Sequence, residues 1–213
     1  MKSESMWDGL ANNWDTPGAS LGQNDIRTIE KTKKYLNASD IILDYGCETG
    51  SISIEIADIV KEAHGIDISS KMIDIARRKA DERKIKNRDF THATIFDERL
   101  KKESFDLILA LSILHLVEDS TKVMDRINQL LKPGGLFISA TPCLGEKTLV
   151  SILVNIPVFL LSKIGILPNI NFFSVSRLVA SITNENFQII ENESLSVRPI
   201  TEYFIVAKKI QRK

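Results

Sequence analysis

Two acids and two glycines near the start of the chain have the types and spacing that suit binding of a nucleoside. Asp44 lies in a short apolar run, and Gly46 and Gly50 follow that run in a loop. Glycines let a backbone turn sharply and approach a ligand closely, and a helix that begins near Gly50 directs free N–H groups to the same place. Asp67 follows the next apolar run, where a carboxylate can accept hydrogen bonds from both hydroxyls of a ribose. Together these residues predict a site for a nucleoside-containing cofactor.

The same residues also have structural interpretations. The glycine pair can mark an ordinary strand-to-helix turn, and Asp67 can cap a helix that begins near Ser69. The dinucleotide fingerprint G-x-G-x-x-G requires glycine at positions 46, 48 and 51, where the chain has Gly46, Glu48 and Ser51. NAD is therefore the weaker candidate for the cofactor.

Strands and helices that alternate along the chain must position these residues. Apolar runs of strand length occupy residues 41–45, 63–68, 89–95, 105–111 and 135–141. Segments of helical periodicity lie between them, one starting after Ser69 and one ending at Pro133. This alternation predicts right-handed βαβ units and an α/β fold with a mostly parallel sheet. Residues 187–195 and 202–210 predict an antiparallel pair of strands at one edge.

The composition limits the kind of protein. A chain of 213 residues can form one α/β domain with a sizeable core, so we predict a single domain over residues 1–213. Basic and acidic residues number 28 each, so no net charge attracts the chain to nucleic acid. The cysteines and histidines do not have the spacing of zinc ligands, so no metal is expected. Two cysteines and an N-terminus without an apolar segment predict a cytoplasmic protein.

Four segments resemble, in order, motifs of the class I S-adenosylmethionine-dependent methyltransferases. These are LDYGCETG (motif I), GIDIS (the acidic second motif), FDLILALSILHLV (the fourth-strand motif) and LLKPGGLFIS (the turn before the fifth strand). The resemblance implies a Rossmann-like, doubly wound sheet of seven strands in the order 3-2-1-4-5-7-6, with strand 7 antiparallel. It also implies S-adenosylmethionine as the cofactor and a small molecule as the methyl acceptor.

The resemblance also implies which residues contact the cofactor. Those on the methionine side are Asp44, Gly46, Cys47, Gly50, Leu111 and Ser112. Those around the ribose and the adenine are Asp67, Ile68, Thr94 and Ile95. Trp14 matches an aromatic residue of an N-terminal lid, here a helical region over residues 1–37, although it can equally be a tryptophan that only packs a helix. Two positions depart from the family. Glu48 replaces a common glycine, and its side chain either points to solvent or faces the cationic cofactor. Thr94 replaces an Asp or Asn that accepts from the adenine amino group.

The expected chemistry needs neither a catalytic triad nor a metal, because a methyl sulfonium is already an activated electrophile. Where the acceptor must lose a proton, His115, Glu118 or Asp119 can assist from the loop after the fourth strand, and we single out His115 as the base. The alternative is that His115 only orients its loop through a backbone hydrogen bond. Two other functions stay open: an NAD(P)-dependent oxidoreductase and a non-catalytic protein that binds a nucleoside cofactor.

An apolar insertion over residues 144–176 is the most individual part of the sequence. Its stretch 148–162 carries no charge, but it is too short to cross a membrane and is interrupted by Asn155 and Pro157. We predict a helical cap that lines a pocket for an apolar acceptor. Contact with a membrane surface is less favoured because the insertion has few basic residues. A homodimer interface is the third interpretation.

Overall fold

The structure is a computed structural model that describes residues 2–14, 22–145, 156–162, 170–183, 186–196 and 201–210. In these ranges the strands are β1 (Ile41–Tyr45), β2 (Glu62–Asp67), β3 (Arg88–His92), β4 (Phe105–Leu111), β5 (Leu131–Cys143), β6 (Phe187–Ser196) and β7 (Thr201–Lys209). The helices are α1 (Lys2–Trp14), α2 (Gln23–Lys33), α3 (Ser51–Ile56), α4 (Ser70–Glu82), α5 (Ser120–Leu130), α6 (156–162) and α7 (Val175–Thr183).

The strands form one sheet in the order β3-β2-β1-β4-β5-β7-β6. Strands β1 to β5 pair in parallel, whereas β7 runs antiparallel to both of its neighbours, β5 and β6. This confirms the Rossmann-like class, the strand order and the antiparallel seventh strand. Because β1 pairs with β2 on one side and with β4 on the other, the chain reverses its winding at β1. Ligands of such sheets bind beyond the carboxyl ends of the strands at this point.

Apolar clusters cover both faces of the sheet. Ile42 and Leu43 of β1 are fully buried, yet they belong to different clusters because successive side chains of a strand point to opposite faces. Ile73 of α4 packs in a third cluster with Phe90 of β3. Helix α4 buries Ile73 in this cluster and leaves Ile75 partly exposed.

Some element ends differ from the prediction. α5 ends at Leu130, and Pro133 lies inside β5 because Leu131 already pairs with β4. β3 ends at His92 rather than at residue 95, because the chain turns at residues 94–97. These changes do not alter the arrangement of the first four strands, which are parallel and have their carboxyl ends at one edge of the sheet.

The predicted insertion over residues 144–176 lies only partly in the described residues. Within it, α6 is helical and residues 170–174 have no regular structure. α7 then follows, a helix that the sequence interpretation missed, and it buries Leu178 and Ile182 in the main core cluster. In the described ranges, no helix has the length and apolar character needed to cross a membrane.

Candidate functional site

A cavity of about 710 Å³ lies at the carboxyl ends of β1 to β4. The residues that end or follow these strands and line it are Tyr45, Gly46, Asp67, Ile68, His92, Ala93, Thr94, Ile95, Phe96, Ser112 and Ile113. Its volume falls in the range of pockets that enclose small molecules and cofactors. The predicted residues that the structure brings together on its wall are Gly46, Asp67, Ile68, Thr94, Ile95 and Ser112. The cavity therefore lies where the fold and the motifs place a ligand.

The loop between β1 and α3 holds its shape through two glycines with positive φ. Gly46 has φ of +77° and Gly50 has φ of +73°. A Cβ on Gly46 would lie 2.9 Å from Cγ1 of Ile113, which also lines the cavity. A Cβ on Gly50 would lie 2.7 Å from Cζ of Phe90 in the core. Gly46 thus shapes the cavity wall, whereas Gly50 allows α3 to start close to β3 and does not line the cavity.

Asp67 connects the end of β2 to this loop. Its Oδ2 accepts a hydrogen bond from the Glu48 N–H at 3.1 Å, and its Oδ1 accepts one from the Ser69 N–H at 2.8 Å. Each carboxylate oxygen retains a lone pair that can accept from a hydroxyl in the cavity. The N-cap of α4 is Ser69, whose hydroxyl accepts from the Met72 N–H at 3.2 Å, so Asp67 is not the cap. Burial raises the pKa of Asp67.

Three further residues that were predicted to contact the cofactor are buried behind the cavity wall. Asp44 is 3% exposed and accepts a hydrogen bond from the Ser53 hydroxyl at 2.5 Å. Burial raises the pKa of Asp44 to about 6. Cys47 packs in the cluster that contains Phe90, and burial raises the pKa of its thiol. Leu111 is also buried in the core. The structure does not place these side chains on the cavity.

Helix α1 contributes to the wall of the cavity, and its role as a lid stays a prediction. Ser3, Glu4 and Trp7 line it, and the Trp7 and Trp14 rings meet edge to face with centroids 5.6 Å apart. Trp14 itself lies outside the wall. The sequence interpretation chose Trp14 and missed Trp7, although the two lie seven residues apart and therefore on the same face of a helix. Asp8 holds α1 in place by accepting a hydrogen bond from the Ser69 hydroxyl at 2.6 Å.

Glu48 lies on the cavity wall, which favours the interpretation that it faces a cofactor over the one that it points to solvent. It has φ of +51°, and its Oε2 accepts a hydrogen bond from Nε1–H of Trp14 at 2.8 Å. Burial raises the pKa of Glu48 to about 7, the Trp14 hydrogen bond opposes this shift, and the nearby carboxylates of Asp67, Asp44 and Asp25 add to it. The carboxyl is therefore partly protonated near neutral pH when the cavity holds no cation.

The end of the cavity next to β3 is lined by side chains that can surround a flat ring. Ile68 and Ile95 provide apolar surface, and Phe96 is half exposed there. Phe96 was missed because an aromatic residue in a loop gives no periodic signal. The Thr94 hydroxyl accepts weakly from the Phe96 N–H at 3.3 Å, which leaves it able to accept from an adenine amino group as well.

A further part of the wall is formed by the loop after β4 and the start of α5, with Ile113, Leu116, Val117, Glu118, Asp119 and Lys122. The ring of His115 does not line the cavity. Its Nδ1 is buried without a hydrogen-bond partner in the described residues, and burial lowers the pKa of His115 to about 4. Its carbonyl accepts from the Asn171 N–H at 2.7 Å. The position of His115 agrees with a structural role and gives no support to a role as base.

The raised pKa of Glu48 gives the free protein a predictable dependence of stability on pH. The folded pKa of about 7 exceeds the ordinary value of 4.5, so between these pH values the folded state holds a proton that the unfolded state has lost. The Glu48 contribution to stability therefore falls as pH rises through this window. We expect the free energy of unfolding of Glu48→Gln to increase relative to wild type by about 3 kcal/mol between pH 4 and pH 8. Urea unfolding of both proteins at the two pH values measures this; an equal difference at both would contradict it.

Comparison with known proteins identifies the type of domain. A family model described as a methyltransferase domain matches residues 36–193. The ubiquinone biosynthesis O-methyltransferase of Shewanella sp. (strain ANA-3) is 24% identical over 170 residues, which cover 79% of this chain and 72% of that protein. The 27-O-demethylrifamycin SV methyltransferase of Amycolatopsis mediterranei (strain S699) is 30% identical over 128 residues, 57% of this chain and 46% of that protein. The chain thus spans from about half to three quarters of the length of these relatives.

Solved structures show the same fold at low sequence identity. The [4+2]-cyclase SpnF has a TM-score of 0.79 and 16% identity, and the alignment covers 98% of this chain and 95% of that one. An S-adenosylmethionine-dependent methyltransferase from Methanosarcina mazei has a TM-score of 0.71 and 22% identity, and the alignment covers 91% of this chain and 100% of that one. A geranyl diphosphate methyltransferase in complex with GPP and sinefungin has a TM-score of 0.71 and 14% identity, and the alignment covers 87% of this chain and 77% of that one. At these identities the structures establish the fold alone.

Proposed function

This chain belongs to the methyltransferase domain family, and we propose that the molecule it methylates is a small, mainly apolar acceptor. Its cofactor is S-adenosylmethionine and its reaction is methyl transfer. The observation that carries the proposal is one cavity that is lined both by the Asp67 carboxylate and by the apolar loop after β4. Such a cavity can hold a nucleoside cofactor and an acceptor side by side.

The residues on the wall fit S-adenosylmethionine. Asp67 can accept from the ribose hydroxyls, and Ile68 and Ile95 can pack against the adenine. Gly46 and Ser112 border the methionine side. When bound, the cofactor supplies a methyl group on a positively charged sulfur, which an acceptor atom can attack directly. The chain's share is to align the acceptor with that methyl group and to exclude water.

The apolar end of the cavity indicates what the acceptor looks like. Ile113, Leu116 and Val117 offer an apolar surface, and Glu118 and Asp119 lie at its rim. These two carboxylates are better placed than His115 to accept a proton from an acceptor hydroxyl. Relatives named for ubiquinone biosynthesis and for demethylmenaquinone act on small molecules with such a character, and this supports an acceptor of the quinol or phenol class.

We propose that the insertion after β5 forms part of the acceptor pocket. Asn171, near its end, contacts the loop that lines the cavity. The Asn171 side-chain amide donates to the Val117 carbonyl, and the Asn171 backbone N–H donates to the His115 carbonyl. In α6, Phe159 meets Phe172 with ring centroids 6.2 Å apart. These contacts connect an apolar segment to the acceptor end of the cavity. Membrane contact, a homodimer and a cytoplasmic location stay predictions from sequence.

Transfer of isotopically labelled methyl groups tests the proposed function. The protein is incubated with labelled S-adenosylmethionine and one acceptor at a time: a quinol, a phenol, a lipid, or a sugar as the polar control. We expect label in a quinol or phenol and none in the sugar. Binding of the cofactor with no transfer to any acceptor would favour a non-catalytic binding protein. Calorimetry that detects NAD but not S-adenosylmethionine would favour an oxidoreductase.

A further inference from the structure

Glu48 lines the cavity in the loop between the proposed ribose acceptor, Asp67, and the proposed methionine-side residue Gly46. Its backbone N–H donates to Asp67, the proposed ribose acceptor, and it follows Gly46 of the methionine-side loop by two residues. In S-adenosylmethionine the positive sulfur links the ribose C5′ carbon to the methionine chain. A side chain between the ribose end and the methionine end of this loop is therefore a neighbour of the sulfur.

The charge around Glu48 is uncompensated. In the described part of the chain no basic side chain forms an ion pair with Glu48, and the neighbouring charges that act on it come from the carboxylates of Asp67, Asp44 and Asp25. One of its oxygens accepts from Trp14, and the other has no hydrogen-bond partner in the described ranges. A partly buried carboxylate in such surroundings is stabilised when a cation enters the cavity.

The backbone at this position also favours glycine, not glutamate. With φ of +51°, a residue with a Cβ is strained relative to glycine. The Trp14 indole fixes the direction of the carboxylate, and its ring stacks edge to face on Trp7, which lines the cavity. The strained residue is thus held in one orientation by α1.

We propose that Glu48 selects the charged methyl donor: its carboxylate faces the sulfonium of S-adenosylmethionine and so favours this cofactor over the neutral-sulfur product, S-adenosylhomocysteine. The proposal rests on the proposed function, since it requires this cofactor in this cavity. The two molecules share the adenosine, the amino group and the carboxylate, and they differ in the methyl group and the charge on sulfur. Only a contact near the sulfur can separate their affinities by charge.

Glu48→Gln isolates the charge, because the amide oxygen can still accept from Trp14 while the negative charge is lost. By isothermal titration calorimetry at pH 8 we expect S-adenosylmethionine to bind the variant about 10- to 100-fold more weakly than wild type, the range for an interaction with a charged group. Binding of S-adenosylhomocysteine should change less than about threefold. This ligand also reports whether the variant is folded. Equal losses for both ligands, or no loss for either, would overturn the proposal.

Two further variants separate charge from orientation and from strain. Trp14→Phe retains the charge of Glu48 but removes the indole N–H that orients its carboxylate, so it should reduce the preference for S-adenosylmethionine less than Glu48→Gln does. Glu48→Gly relieves the positive φ and should lose selectivity for S-adenosylmethionine as Glu48→Gln does. Retained selectivity in Glu48→Gly would contradict the assignment. If the proposed function itself is wrong, wild type will bind neither ligand, and this result is distinct from a loss of selectivity in the variants.

Discussion

Replacement of Asp67 by alanine is expected to weaken the binding of S-adenosylmethionine about 100-fold or more. The variant loses the carboxylate that can accept from both ribose hydroxyls, and hydrogen bonds to a charged group contribute about 1.5–3 kcal/mol each. It also leaves the N–H groups of Glu48 and Ser69 without the acceptor that joins β2 to the loop. Isothermal titration calorimetry of the two proteins measures the loss.

Asp67→Asn is the matched control. Its amide oxygen can still accept from one of the two N–H groups, so this variant should be more stable than Asp67→Ala. Its affinity for S-adenosylmethionine should lie between those of Asp67→Ala and wild type. Because the ribose is common to both ligands, S-adenosylhomocysteine should lose as much affinity as S-adenosylmethionine, in contrast to the Glu48 variants. Equal affinity of wild type and Asp67→Ala would remove the site assignment.

Deletion of residues 149–171 is expected to abolish transfer to the acceptor and to leave the cofactor Kd within about threefold of wild type. The deletion removes α6 and Asn171, which contacts the loop that ends in Val117 at the acceptor end of the cavity. The residues proposed to hold the cofactor lie at the ends of β1 to β4 and remain. Labelled methyl transfer and calorimetry measure the two properties separately.

Asn171→Ala is a smaller change at the same place. It removes the side-chain hydrogen bond to Val117 but leaves the backbone bond to His115, so it should reduce turnover without abolishing it. Full turnover by the deletion variant would refute the cap. Loss of cofactor binding in that variant would show that the segment supports the fold instead of the acceptor pocket.

Much of the fold was predictable because its signals are local. Apolar runs of strand length and helical periodicity placed all seven strands, with errors of a few residues at their ends. The ends depend on pairing and turns with neighbouring strands, as Leu131 on β4 and the turn after His92 show. α7 was missed because the apolar insertion before it obscured where that segment stops.

The residues of the site also include some that the sequence predicted and some that it did not. Asp67 and the glycine loop follow directly from residue type and spacing, and both lie at the predicted edge of the sheet. Residue spacing does not determine whether a side chain points into the core or into the cavity. Asp44 and Cys47 are buried in the core, whereas Glu48, the residue after Cys47, lines the cavity. The glycine loop packs so closely against Ile113 and Phe90, far along the chain, that a Cβ on Gly46 or Gly50 would clash with these side chains.

By itself, the sequence determined the α/β architecture, the type of cofactor and the edge of the sheet where it binds, because short motifs and periodic apolar residues carry that information. Only the tertiary structure decided that Trp7 and not Trp14 lines the cavity, that His115 does not line it, and that α1 contacts Glu48. Each of these depends on how one element docks on another. The Trp14–Glu48 hydrogen bond joins residues 34 positions apart, and no local pattern of residues specifies such a contact.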